Sequence, residues 1–513
     1  MTSPTGSPGG APGDSSAAAT RPTRDARWPA FAVCLGAGFM TLLDVTIVNV
    51  ALPSIEHSLS AGANELQWIL AGYTLAFGLA LVPAGRLGDV YGRRTLFLVG
   101  LAGFVLASAA CGLVTSGVAL AAVRFVQGIA AGVLNPQVIA FIQDLFSGAE
   151  RGRAFGMFGA TVGVSTAIGP LAGGALLAIF GEQEGWRSVF LVNVPIGLVL
   201  FPLAWRLLPR RTAPRRATAR LDVVGTLLLA VGVVAVMWPF VSSEHGGSGS
   251  GSSSSGGSGS GDSTTAAASS PAWWTIAVGL AVLGVLAWWE RRVQRRGGLP
   301  LLPGGLVRVP SFMFGVGVST LYFLAFTGVW LSSTLYLQTG MGLTPLEAGL
   351  VLTPFSIAGA ISATVGGRLI GRIGRPLVVI GIAVTGVALV AVDLVVRTWH
   401  GPGVVWVVCA VLTVAGLGNG LVISPNQTLT LARVPLSDAG AAAGALQTMQ
   451  RIGAAVGVSA NAAAFFTVLG TSGGSYPQAF STSLTIVVSI LALALVVAVV
   501  DWRRREHAHA PVL

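Results

Sequence analysis

Charge is what this 513-residue chain has least of: Asp, Glu, Lys and Arg together make up 10% of it, where a soluble protein carries roughly a quarter. Lysine is missing altogether, so all 30 basic residues are Arg. Without lysine there is no phosphate-cradling P-loop, which excludes a nucleotide as this chain's own partner and leaves an ion gradient as its energy source. Cysteine is scarce as well. Cys34, Cys111 and Cys409 lie in apolar runs at no metal-like spacing, none of the five histidines clusters with them, and no metal or other cofactor is indicated. Apolar residues are abundant, at 53% of the chain with a mean hydropathy of +0.77. That is about 270 residues, enough for roughly thirteen or fourteen membrane spans of about 20 residues each. A soluble enzyme, a fibre and a disordered chain are excluded; an all-α polytopic membrane protein with the lipid bilayer as its solvent is expected. The net charge of +11 is spread through short loops, which fits membrane topology and not nucleic-acid binding.

Fourteen apolar runs follow one another at about 28–53, 65–84, 95–114, 117–142, 154–180, 186–208, 221–241, 271–290, 311–337, 346–366, 377–397, 403–426, 438–468 and 480–501. The arginines test this count independently. With the N-terminus inside, 26 of them fall in cytoplasmic segments, Arg187 and Arg397 fall outside, and Arg124 and Arg451 lie within spans. Cytoplasmic loops attract Lys and Arg, so the alternation supports an even number of spans and places both termini in the cytoplasm. The expected organisation is a disordered cytoplasmic tail at 1–27, a six-helix bundle at 28–208, an inserted helix pair at 209–310 (spans 221–241 and 271–290), a second six-helix bundle at 311–501, and a tail at 502–513. Within the insert, 242–270 is a Gly/Ser-rich external loop that cannot bury a core. Arg-only, Ala/Gly/Val-heavy usage points to a GC-rich bacterial genome, hence to the bacterial cytoplasmic membrane.

The chain also repeats itself. Gly85-Arg86-Leu87-Gly88-Asp89-Val90-Tyr91-Gly92-Arg93 returns as Gly367-Arg368-Leu369-Ile370-Gly371-Arg372-Ile373-Gly374-Arg375, once after span 2 and once after span 10. With spans 7 and 8 set aside as an insertion, the two loops are equivalent positions in two parallel six-helix repeats. The stretch Gly85 to Arg94 resembles motif A of the major facilitator superfamily. Arg124-Phe125-Val126-Gln127-Gly128 resembles motif B, and Gly169-Pro170-Leu171-Ala172-Gly173-Gly174 resembles motif C, which marks antiporters in that superfamily. Leu43 to Pro53 and Trp186 to Pro195 are similar to signatures of its fourteen-helix drug:proton antiporters. Two positions depart from the pattern: Ser165 stands at the first glycine of motif C, and Gly371 stands where the second loop would carry Asp, so the two loops are expected to latch unequally. The resemblance implies the major facilitator fold, two six-helix bundles plus two inserted helices, working as a monomer by alternating access.

Residues with chemistry to contribute are few. Asp44 lies near the middle of span 1, where a bare charge costs roughly 2.5–3.5 kcal/mol or more. It is the candidate proton carrier, with Arg124 as its partner; the alternative is a structural carboxylate. The resemblance implies that Gly85, Asp89, Gly92, Arg93 and Arg94 form a conformational latch, with Asp89 reaching the N-terminal end of helix 13, where a carboxylate suits the helix dipole. Gly169, Pro170, Gly173 and Gly174 are expected to kink helix 5 and let it pack tightly on helix 10, against Gly359, Ala360 and Ala363. Asn49, Gln127, Tyr322, Phe326, Trp330, Gln450 and Arg451 are candidate cavity residues, the aromatics as a wall for flat apolar substrates. For those aromatics a lipid-facing position stands equally open, and for the Gln447/Gln450/Arg451 island a buried structural network does.

These residues point to a proton-coupled antiporter exporting small hydrophobic, drug-like compounds. Three rivals remain at this stage, one of them a non-transporting sensor, which would not need Asp44. A proton-coupled or passive solute importer on the same fold is opposed by motif C and the helix count. A membrane-embedded lipid-modifying enzyme would need clustered metal ligands or a nucleophile–base pair, and the sequence offers neither.

Overall fold

In a bilayer no water satisfies the backbone, so an apolar run closes its hydrogen bonds internally as a helix. A computed structural model follows that rule throughout. It describes residues 24–506 except 182, 210–221, 243–273, 297, 299, 400 and 402; the expected tails and most of the Gly/Ser loop lie outside the described residues.

Six helices form the first half: α1 (Arg24–Leu59), α2 (Ala63–Tyr91), α3 (Arg93–Leu113), α4 (Gly117–Leu145), α5 (Gly148–Phe180) and α6, which runs Gly185–Leu191 and Asn193–Leu207 with a break at Val192. Two further helices, α7 (Val223–Ser242) and α8 (Trp274–Arg295), precede the second half: α9 (Pro310–Leu335, continued by a wide turn Tyr336–Gly340), α10 (Pro345–Ile373), α11 (Pro376–Thr398), α12 (Val404–Leu431), α13 (Ala439–Thr471) and α14 (Tyr476–Glu506). Twelve of these, all but α7 and α8, are long and apolar enough to cross a membrane among the described residues. The chain is a multi-pass membrane protein.

Local sequence explains where the helices begin and end. The Ser116 hydroxyl accepts from the Ala119 N–H at the start of α4. Thr344 and Glu347 form a reciprocal capping box at the start of α10. Gly92, at φ +102°, makes the sharp corner between α2 and α3 that a side chain would resist. Apolar residues fill each half separately. Phe97, Leu101, Phe104, Phe141 and Phe155 are among the core of the first, and Tyr322, Phe355, Val392, Phe465 and Phe480 among that of the second.

The halves meet mainly through two symmetry-related contacts, α2 against α13 and α5 against α10, with α5 also meeting α12 and α4 meeting α13. Both main contacts are built from glycine at the end of the bundle that carries Asp89. A Cβ on Gly85 would overlap the Gly440 carbonyl. Its repeat counterpart Gly367 lies equally tight on Gly152 and Gly156. Toward the opposite end the halves part. Nothing lies within 4 Å of a Cβ placed on Gly174, and Ile168, Pro170, Leu171 and Ala175 of α5 stand exposed. A cleft therefore opens between the halves at that end and is closed at the Asp89 end.

The α7–α8 pair packs on itself and then on α2 and α13 together. Leu229 and Val233 of α7 and Leu286 of α8 join Leu75 and Val82 of α2, with Ile452 and Ala455 of α13 alongside. At the Asp89 end the pair is tied by Trp289, whose indole N–H lies 2.9 Å from both Asp222 oxygens, and by the Leu301 N–H donating to Glu290.

Candidate functional site

Asp44 sits midway along α1 with no solvent exposure. A carboxylate so placed is tolerated only when its oxygens are satisfied, and two helices, α4 and α6, supply the donors. The Arg124 guanidinium donates to Oδ2 at 2.6 Å. The amides of Gln127 and Asn193 donate to Oδ1 at 3.0 Å each. Each amide places its second N–H on the Ser108 hydroxyl, at 2.8 and 3.0 Å, so α3, α4 and α6 are fastened around α1 through one acid. Arg124 and Gln127 are three apart on α4 and share a face; Arg124 also donates to the Gln127 carbonyl oxygen at 2.8 Å and to the Ile69 carbonyl of α2 at 3.3 Å. Its guanidinium lies 4.0 Å from the Tyr73 ring centroid. Every charge here is paired and hydrogen-bonded, yet protonating Asp44 would leave Arg124 buried beside a neutral group.

The expected latch residues gather at the closed end. Asp89 accepts from the Gly440 and Ala441 N–H groups at 3.0 Å each, at the first turn of α13, where the helix dipole favours an anion. Arg93 donates to Asp89 at 3.0 Å, to the Ala140 carbonyl at 3.0 Å and to the Leu436 carbonyl at 2.5 Å, and pairs with Asp144 at 2.5 Å. Arg86 pairs with Asp438 at 3.3 Å, and Arg94 donates to the Trp205 carbonyl while stacking on its ring. At the repeat-related position Gly371 has no carboxylate to offer, and the α5–α10 contact is a glycine-on-glycine surface instead.

One expectation about motif C is corrected. Gly173 does not face α10: a Cβ there would lie 3.1 Å from the Ile47 carbonyl and 3.2 Å from Val50 Cβ, both on α1. Gly169 likewise abuts Thr46 of α1, and Gly174 faces open space. The residues that meet α10 stand earlier on α5. A Cβ on Gly156 would be 2.9 Å from the Ala363 carbonyl and 3.0 Å from Gly367 Cα, and Gly163 meets Ser356 and Ala360. Pro170 is exposed. Glycines announce a close approach but not the helix that makes it.

The candidate cavity residues divide. Gln127 belongs to the Asp44 cluster. Asn49 is exposed, its amide donating only to the Val45 carbonyl one turn back. Tyr322 is buried and donates to Asn419 at 2.8 Å. Phe326, half-buried, stacks on Tyr322, Trp330 and Phe355 with centroids 5.9–6.2 Å apart, a continuous aromatic face between α9 and α10. Gln450 donates to the Ser319 hydroxyl at 2.7 Å. Arg451 crosses to the other half, 4.5 Å from the Phe77 ring centroid. Ser108 and Tyr73 carry no signal that separates them from packing residues in an apolar run. Asn193 stands inside one of the quoted signatures, but nothing in its spacing to Asp44 foretells their contact.

Comparison with known proteins agrees with this geometry. The family model described as Major Facilitator Superfamily matches residues 34–458 and 311–511. A probable actinorhodin transporter of Streptomyces coelicolor is 35% identical over 463 residues, 90% of this chain and 76% of that one. A puromycin resistance protein of Streptomyces alboniger is 36% identical over 445 residues, 84% of this chain and 80% of that one. In fold, the structure of the proton:xylose symporter XylE superposes with a TM-score of 0.61 over 92% of this chain and 95% of that one, at 13% identity. The chain belongs to the Major Facilitator Superfamily.

Proposed function

We propose that this chain is a fourteen-helix drug:proton antiporter of the bacterial cytoplasmic membrane, exporting small hydrophobic compounds as a monomer by alternating access. The observation that carries the reading is Asp44, fully buried at mid-span, paired with Arg124 and saturated by two amides. Such a group is expensive in a membrane and is retained where an ion must be handled. The names of the relatives, a transporter and a resistance protein, support export as its direction. The arginine asymmetry supports all fourteen helices crossing, with both termini and the Asp89 end in the cytoplasm. In that orientation the described conformer is closed inward and open outward, the state that releases substrate and takes up a proton.

The energetics suffice. One proton entering down about 100 mV supplies roughly 2.3 kcal/mol, and half a pH unit adds about 0.7 kcal/mol. Together they sustain about a hundredfold gradient of a neutral compound. The test is accumulation of a fluorescent dye by inside-out vesicles with an imposed proton gradient. ATP-independent accumulation that collapses on adding an uncoupler is expected; accumulation that survives the uncoupler would defeat proton coupling.

In the same reading Asp89 holds the inward gate shut. Hydrogen bonds to a charged acceptor contribute about 1.5–3 kcal/mol against about 0.5–1.5 for neutral ones, so Asp89→Asn should weaken closure by about 1–2 kcal/mol. The expected result is a several-fold lower export rate together with faster maleimide labelling of a cysteine replacing the buried Ala441. Labelling and rate both at the wild-type level would remove Asp89 from the gate.

A further inference from the structure

Arg451 lies 12 residues into α13, about 18 Å along its axis from Ala439, and so at mid-depth. It stands partly exposed at the floor of the cleft, with its Cβ 4.0 Å from a Cβ placed on Gly78 of α2, across the seam between the halves. Across that seam its guanidinium lies 4.5 Å from the Phe77 ring centroid. Among the described residues it has no hydrogen bond and no carboxylate partner. Of the acids on the elements packed around it, Asp89 is engaged on the α13 amides, Asp438 with Arg86, Asp144 with Arg93, Asp222 with Trp289, Glu290 with the Leu301 N–H and Asp44 with Arg124, while Glu65 stands about 18 Å away along α2 from Phe77. Beside it, within electrostatic reach, is Tyr73, whose buried hydroxyl has no partner. The floor of the cleft thus presents a partly exposed cation, backed by two buried, stacked aromatic rings, Tyr73 and Phe77.

From this geometry we propose that Arg451 is the anion-recognising subsite of the cleft, and that the preferred substrates are flat aromatic compounds carrying an acidic group, a carboxylate or an ionised phenol. This rests on the export reading above and narrows it. The edge of the Arg451 guanidinium pairs with the acid, and its face turned away from Phe77 receives the ring. A carboxylate at this point supplies what the protein withholds, since an uncompensated guanidinium at mid-depth is costly until a counter-charge arrives. The guanidinium's fixed fork suits a two-oxygen acceptor better than an ammonium does. Lipophilic cations are repelled from the same floor.

The test uses the purified full-length protein in lipid nanodiscs, with fluorescein as the anionic probe and ethidium as the cationic one. Binding is read by fluorescence polarisation in wild type, Arg451→Gln and Arg451→Lys, each first shown to be monodisperse. The expected result is tighter binding of fluorescein than ethidium by the wild type, a fluorescein affinity at least tenfold weaker in Arg451→Gln, and partial recovery in Arg451→Lys. Ethidium affinity should rise several-fold in Arg451→Gln, the opposite sign. A purely structural arginine would lower both together, and that outcome overturns the proposal, as does wild-type indifference to the charge of the probe. Uncoupler-sensitive vesicle accumulation of ethidium alone would leave export standing while removing the anion subsite; failure of accumulation for both dyes would remove the export reading itself.

Discussion

Asp44→Asn is expected to reach the membrane and bind substrate but to build no gradient, taking the roughly hundredfold accumulation estimated from one proton down to equilibration. Loss of transport alone would be ambiguous, because the substitution also strands Arg124. That guanidinium is 1% exposed, and removing one partner of a buried pair costs about 3–5 kcal/mol. The single variant should therefore unfold at a lower temperature than wild type. Pairing it with Arg124→Gln removes the stranded charge and should recover most of that stability. If Asp44 carries the proton, the double variant is stable yet still cannot pump; if its role is to brace four helices, restored stability brings restored pumping. Thermal unfolding in detergent and vesicle accumulation at matched expression separate the two, and a pumping double variant would sink the coupling role.

The second large effect belongs to Gly156. Leucine there must displace the Ala363 carbonyl and the Gly367 backbone, which a Cβ alone would already crowd at 2.9 and 3.0 Å. Overpacking costs about 1–3 kcal/mol, and backbone-on-backbone contact places this case at the upper end. The crowding arises where α5 and α10 are closed together, so the cost falls on that conformer. A bias of about 3 kcal/mol shifts a two-state ratio about a hundredfold. Export should fall at least tenfold, with Gly156→Ala between it and wild type. Asn49→Cys, at an exposed position, reports the shift: its labelling by an external maleimide should slow in the Gly156→Leu background. Native Cys34 and Cys111 are buried and add little signal. Wild-type export by Gly156→Leu would show that α5 and α10 need not close to complete the cycle.

The helices are legible in the sequence because a bilayer permits so little else, and the repeated Gly-Arg loop marks the two halves. Asp44 and Arg124 stood out for the same reason: a charge in a span is rare enough to be conspicuous. Ser108 and Asn193 did not, since small polar side chains are cheap within spans and their convergence on one carboxylate depends on helix rotation. Motif C misled in its details. Gly169 and Gly173 serve the α1–α5 contact inside one half, while the contact between halves uses Gly152, Gly156 and Gly163. A stripe of small residues records that a neighbour is near; which neighbour is decided by topology far away in sequence.

The α7–α8 pair has a consequence for molecules dissolved in the bilayer. A two-bundle barrel has two lateral seams, one along α2 and α13, the other along α5 and α10. The added helices lie over the first and interleave Leu229, Val233 and Leu286 with it, while among the described residues no helix covers the second. A compound partitioned into lipid thus meets a caulked wall on one flank and a bare joint on the other. Sideways entry, where it occurs, is one-sided, and the barrel that looks doubled in sequence is handed toward its membrane.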